Sequence, residues 1–296
     1  MGASNKHCTL SPEYGKSPSL FFVNLVSNYA AHSQRNEYRC WTARSVGRIL
    51  TVAEPLILQV WWIAALVIAI VIFAAMVQAG LGMGFGLTAA PLLALIDPAL
   101  VPGPTLYLGM FSSLLGVYRE PKGVVWREIG IGAFGRMFGV LLGGVLLYNL
   151  TDMKTFSLVF GVMVGLAVTL SAFGWQLPFT NANLVAMSTV SGVMGIITSV
   201  GAPPMALLYS QRPAKEARPT LAAFFAVGCG VSIIGLHLAG WGGWRDFWLA
   251  LLMLPGVIVG TIVARLFLGR FDQRFKPILL CVSGMAAFLL IVRGLT

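Results

Sequence analysis

A chain of 296 residues that is 57% hydrophobic and only 10% charged, with a mean hydropathy of +0.84, carries more apolar surface than a soluble globule of this size can bury. It reads as a multi-span membrane protein. The net charge of +10 sits in loops between apolar runs, which is the positive-inside pattern and excludes a nucleic-acid partner. Four cysteines without CxxC spacing, three histidines, and the absence of HExxH and GxSxG exclude a disulfide framework, a metal site, a cofactor and a catalytic centre of those types.

Residues 1–54 are polar and basic and are interrupted by Pro12 and Pro18. The apolar run 20–26 is too short for a signal-peptide core. A mostly disordered tail is expected, with one surface helix near 20–31. At Pro55 the character changes, and 56–79 forms a full-length span with Trp61 and Trp62 as interfacial anchors. A glycine-rich stretch, GLGMGFGLTAAP at 80–91, interrupts it, and a short apolar piece runs on to the turn Asp97-Pro98. Apolar segments follow at 104–117, 129–150, 156–175, 184–199, 204–210, 219–240, 247–268 and 277–295. Within them, GVMGIITSVGAP at 192–203 is a weak copy of the first glycine-rich stretch.

Superimposing those two stretches reveals an internal repeat of 55–176 on 177–296. Pro104-Thr105 answers Pro219-Thr220, Trp126-Arg127-Glu128 answers Trp244-Arg245-Asp246, Gly139 and Gly143 answer Gly256 and Gly260, and Asp152 with Lys154 answers Asp272 with Arg274. Three basic loops carry Arg119, Lys122 and Arg127; Arg212, Lys215 and Arg218; and Arg270, Arg274 and Lys276. All three fall on one face if each glycine-rich segment enters and leaves on the same side and three spans follow it. That face is the cytoplasm, and an odd number of spans per half inverts the repeats. The expected fold is an all-α polytopic membrane protein of inverted helical repeats with glycine- and proline-broken membrane segments. The tail is then cytoplasmic and the C-terminus outside.

Broken helices at mid-membrane expose backbone N–H groups and a partial positive charge, a setting suited to a small anion. Gly82, Gly84, Gly86 and Gly201 permit close backbone approach, Thr88, Thr198 and Ser199 offer hydroxyl donors, and Pro91 and Pro203 close the two motifs. The bland alternative is that the glycines serve helix packing. Arg136 lies inside an apolar span between Gly135 and Gly139. It is either a bidentate anion ligand or a side chain that snorkels to the nearby basic loop. Because Arg136 has no aligned counterpart, the duplicated backbone donors are expected to dominate, with Arg136→Gln weakening binding less than about tenfold. Gly135, Gly139 and Gly143 form a close-packing seam, either within the protomer or in a homodimer. Arg218 is expected to hold its loop to Thr220 and the Pro203-Pro204 break, and His237 to be a helix-packing residue. No intramembrane carboxylate relay is visible.

At this point the chain resembles a known family, the TauE/SafE sulfite exporters, over roughly residues 60–294. The resemblance rests on GLGMGFGLTAAPLL at 80–93 and GAPPMALLYSQRPAKEARPTLAAFF at 201–225, which is similar to the family's second-half Gly-Pro-Pro, Leu-Tyr and Arg-x-Thr pattern. Met83, Phe85 and Ala202 depart from the family's denser glycines, and the 54-residue tail has no counterpart in it. The resemblance implies transport of a small sulfur-containing anion, such as sulfite or a sulfonate, across the inner (plasma) membrane by a multi-pass protein in contact with lipid. The competing class is a membrane-embedded enzyme or a non-transporting scaffold, and a scaffold has no need of two related helix breaks.

Overall fold

The structure, a computed structural model, describes residues 61–150, 153–173, 176–266 and 275–295. The expected tail helix, the match of Asp152 with Asp272 and Arg274, and the third basic loop lie outside the described residues. Among the described residues the chain is all helical, with ten α-helices: α1 Trp61–Leu81, α2 Phe85–Ile96, α3 Gly103–Arg119, α4 Trp126–Asn149, α5 Met153–Phe173, α6 Asn181–Thr198, α7 Ala202–Tyr209, α8 Ala214–Leu238, α9 Trp244–Leu266 and α10 Phe275–Leu295. Six of these (α1, α4, α5, α6, α8 and α9) are long and apolar enough to cross a membrane. This is a polytopic all-α membrane protein.

The helices pack through small residues and turn large ones outward, as lipid-embedded bundles do. On α4 the buried stripe is Gly132, Gly135, Gly139 and Gly143, with Arg136 and Val140. Phe134, Phe138, Leu141 and Val145 are exposed on the other side. Gly135 and Gly139 lie directly on the carbonyls of Val185 and Thr189 in α6, where a Cβ would collide. The glycine seam is therefore internal to the protomer.

Some helix pairings recur along the chain. α4 packs on α6 as α9 packs on α1, α2 packs on α10 as α7 packs on α5, and α3 meets α8 as α5 meets α10. The register of this correspondence differs from the one expected from the motifs. Backbone in the left-handed region, which is what ends α1 and α6, occurs at Gly82 (φ 75°) and Ser199 (φ 61°), while Gly84 and Gly201 are the N-caps of α2 and α7. The breaks thus align 82 with 199 and 84 with 201. Gly256 and Gly260 approach the carbonyls of Ile68 and Ile72 in α1, so they answer Gly135 and Gly139, one turn earlier than expected.

The prolines explain the shift. Pro203 and Pro204 stand in the first turn of α7, where a missing N–H is tolerated. Pro91 lies well inside α2 and cannot donate to the carbonyl of Leu87 one turn back. The Ser283 hydroxyl of α10 donates to that carbonyl at 2.8 Å instead, so the proline docks α2 onto α10 rather than ending the helix.

Candidate anion site

The first break is closed by a residue that the motif reading passes over. Gln78, buried in α1, accepts the Phe85 N–H at 3.0 Å through its amide oxygen. Its amide nitrogen donates to the Ser113 hydroxyl of α3 at 2.8 Å and to the Gly82 carbonyl at 3.4 Å. One of the free N–H groups at the start of α2 is thereby satisfied inside the protein. Gly82 itself faces the backbone of Arg218, and Gly86 faces the Ser199 carbonyl, where any Cβ would clash. The two breaks therefore touch each other at Gly86 and Ser199.

The predicted hydroxyls are all engaged by backbone groups. Thr88 donates to the Gly84 carbonyl at 2.9 Å, Thr198 donates to Met194 at 2.7 Å and accepts the Val200 N–H at 3.1 Å. Ser199 donates to the Pro102 carbonyl at 2.9 Å, which offsets part of the roughly 1 to 2 kcal/mol that a left-handed non-glycine residue costs. Pro203 and Pro204 remove two N–H groups from the first turn of α7. Neither half-helix presents a full set of backbone donors in this conformation.

Arg136 occupies the second break. It is only 1% exposed, and the slot that holds it is cut from glycines: a Cβ on Gly195, Gly201 or Gly228 would run into its guanidinium or its stem. Nη1 donates to the Ser191 hydroxyl at 2.9 Å, and that hydroxyl donates on to the Gly201 carbonyl, the cap of α7, at 2.7 Å. Nη2 reaches the Ser232 hydroxyl of α8 at 3.5 Å. Phe224 and Phe225 lie 5.4 and 5.5 Å from Cζ. Nε has no partner. Among the described residues no carboxylate pairs with Arg136, whose polar partners are the two serine hydroxyls. The side chain does not snorkel to the basic loop.

A buried cation without a counter-ion costs several kcal/mol of desolvation. Hydroxyls and aromatic faces offset part of that cost but leave the charge uncompensated. The second half has no equivalent, because Met253 and Val257, the buried residues on α9 that either register places opposite Arg136, are apolar.

Eight residues before Arg136 on the same helix, Glu128 accepts from the Tyr209 hydroxyl and from Arg212, both at 2.7 Å. Arg212 also lies over the Phe179 ring at 4.3 Å. This cluster ties the start of α4 to the end of α7, the half-helix whose cap Arg136 holds through Ser191. Arg218 does not reach the second break as expected: its backbone lies on Gly82 of the first, and its guanidinium faces Glu120 at 3.7 Å. The Thr220 hydroxyl instead pins the loop before α4, accepting from the Val125 N–H at 3.1 Å. The signals for Gln78, Ser191 and Ser232 were polar side chains in apolar spans, and for Gly195 and Gly228 glycines one turn apart from those serines.

The family described as Sulfite exporter TauE/SafE matches residues 67–290. No curated protein and no solved structure matches the chain. With that match spanning both breaks, both sets of packed helices and Arg136, the chain belongs to the TauE/SafE sulfite exporter family, whose members are membrane transporters of anions and not enzymes.

Proposed function

We propose that this protein is a secondary transporter or facilitator of a small, sulfur-containing oxyanion, sulfite or an organosulfonate, across the inner (plasma) membrane, and that Arg136 is the principal ligand. The observation that carries the reading is a fully buried guanidinium with no carboxylate partner, hydrogen-bonded through Ser191 to the cap of the second broken helix. The backbone groups at Gly84, Gly86 and Gly201 act as the secondary donors. This reverses the expected order, because Gln78 and the two prolines of α7 withdraw backbone donors while nothing withdraws the charge of Arg136.

The halves 55–176 and 177–296 are read as inverted repeats that rock about the contact between Gly86 and Ser199. Arg136 is closed off on all sides here, so transport requires the packing around one break to open. Uptake into proteoliposomes of sulfite, sulfoacetate, taurine, sulfate and chloride tests the proposal. Saturable uptake of sulfite or a sulfonate, abolished in Arg136→Gln, is expected. Equal uptake by protein-free vesicles, or uptake untouched by the substitution, overturns it.

A further inference from the structure

Between Arg136 and the far end of α7 lies a buried apolar cluster that is distinct from the main core of the bundle. Phe224 and Phe225, 5.4 and 5.5 Å from Cζ of Arg136, belong to it together with Met205, Leu208 and Tyr209 of α7. α7 has only eight residues, so its two ends are about 12 Å apart. Its first turn is held through Ser191 to Arg136. At the other end a polar layer closes over the cluster. Glu128 accepts from the Tyr209 hydroxyl through Oε2 and from Arg212 through Oε1, both at 2.7 Å. Phe179, in the connection leading into α6, packs edge-on against the Tyr209 ring at 5.2 Å and lies under the Arg212 guanidinium at 4.3 Å. The Gln211 amide donates to Gln176 of the same connection at 2.9 Å.

The start of α4, the connection before α6 and the end of α7 thus converge on one carboxylate whose side chain is 12% exposed. Charge-assisted bonds to such a group are strong when all are made, and losing one partner leaves a costly charge behind. The cluster therefore favours a closed or an open arrangement over intermediate ones. The acid in the matching motif of the second half, Asp246, also closes on the connection after a broken helix: its carboxylate takes the Gly243 N–H at 3.1 Å and lies against Gly103 at the start of α3. We infer that Glu128, Tyr209 and Arg212 form the latch of a gate, with α7 as its leaf, between Arg136 and the membrane face that bears the Arg212 loop. Releasing the latch frees the last turn of α7, Leu208 and Tyr209 leave the cluster, and Arg136 gains a path to water. What the gate admits rests on the reading of Arg136 as the anion ligand, whereas its opening can be measured without an anion.

The test is thiol accessibility in the purified full-length chain with Cys8, Cys40, Cys229 and Cys281 replaced by serine. Met205→Cys places a thiol inside the cluster, where the native side chain is fully buried, and Leu208→Cys, one turn on, gives a second reporter. Val71→Cys, in the buried face of α1, reads general loosening. The rate of reaction with N-ethylmaleimide follows the open population. Arg212→Gln and Glu128→Gln are each expected to speed labelling of both reporters about tenfold or more, and Tyr209→Phe, which removes only the hydroxyl, by a smaller factor. Combining Glu128→Gln with Arg212→Gln should add less than about twofold to either alone, because both remove the same pair. Labelling at position 71 should not change. The gate is overturned if Arg212→Gln and Tyr209→Phe leave both reporters unaltered, if the effects of the two charge substitutions multiply, or if labelling at position 71 rises in step. No anion enters this measurement, so a failed latch leaves Arg136 standing as the ligand, and a failed Arg136 titration leaves the latch.

Discussion

Replacing Arg136 by Met separates a ligand from a structural arginine, because the two roles predict opposite changes in stability. In the ligand-free protein the guanidinium makes one good hydrogen bond, one at 3.5 Å and two aromatic contacts, and leaves Nε bare. Those contacts recover only part of a desolvation penalty of several kcal/mol. An unbranched apolar side chain of similar length in the same glycine-cut slot removes the penalty. It costs about 1 to 3 kcal/mol for leaving Ser191 and Ser232 short of a partner, and Ser191 keeps its bond to the Gly201 carbonyl. The ligand-free unfolding midpoint is therefore expected to hold or rise.

Anion binding changes the other way. A bidentate pair of charge-assisted bonds contributes on the order of 3 kcal/mol, so affinity falls about a hundredfold. Thermal unfolding with and without sulfite reads both quantities. At a concentration about a hundred times its Kd, an anion stabilises the parent protein by about 2.7 kcal/mol, and this increment should fall to about 0.4 kcal/mol in Arg136→Met at the same concentration. A variant that is strongly destabilised yet keeps the full ligand-induced increment would make Arg136 a packing residue and refute the assignment.

Gly228→Ala places a methyl group on the Arg136 stem and is expected to reproduce the binding defect without touching the arginine, whereas Gly165→Ala, with open space around it, should be silent in the same titration. Gly161 is no such control, since a Cβ there meets the Ile291 side chain at 2.8 Å. Gln78→Leu strands the Phe85 N–H and costs about 1 to 3 kcal/mol, read as a lower unfolding midpoint; an unchanged midpoint would show that the first break is not held by this amide. A single fixed positive charge balances a monoanion better than a dianion, so methanesulfonate should compete for the site more strongly than sulfate, and a preference for sulfate in competition binding would count against a lone-arginine site. Lys122→Cys and Lys215→Cys line one cavity and should both label from the cytoplasmic face of intact cells; labelling of either from outside would sink the proposed orientation.

The helices were legible in the sequence because lipid imposes a length and a composition on each span. The nine apolar segments predicted after the first break each contain or fall within an observed helix to within a few residues. The breaks were legible as places, but not in register. Glycine and proline were weighted alike there, yet at these two breaks it is left-handed backbone, at Gly82 and Ser199, that follows the last helical residue, and a proline such as Pro91 is absorbed when a distant hydroxyl, here Ser283, satisfies the carbonyl it orphans. Nothing in the local sequence announces a partner almost two hundred residues away. The site suffered from the same blindness. Threonine and serine beside a helix break look like ligand donors, but each has a carbonyl of its own within reach, and a hydroxyl spends its single proton on the nearest acceptor. Arg136 was visible as a charge in an apolar span, and its distance from the basic loop made snorkelling a fair alternative. What decides between the two is the glycine slot drawn from α6, α7 and α8, since it requires Gly195, Gly201 and Gly228 to meet around one guanidinium. That convergence exists only in three dimensions, and it turns a charge that could have escaped to the surface into one held inside the protein, which is why the proposed ligand role falls to Arg136.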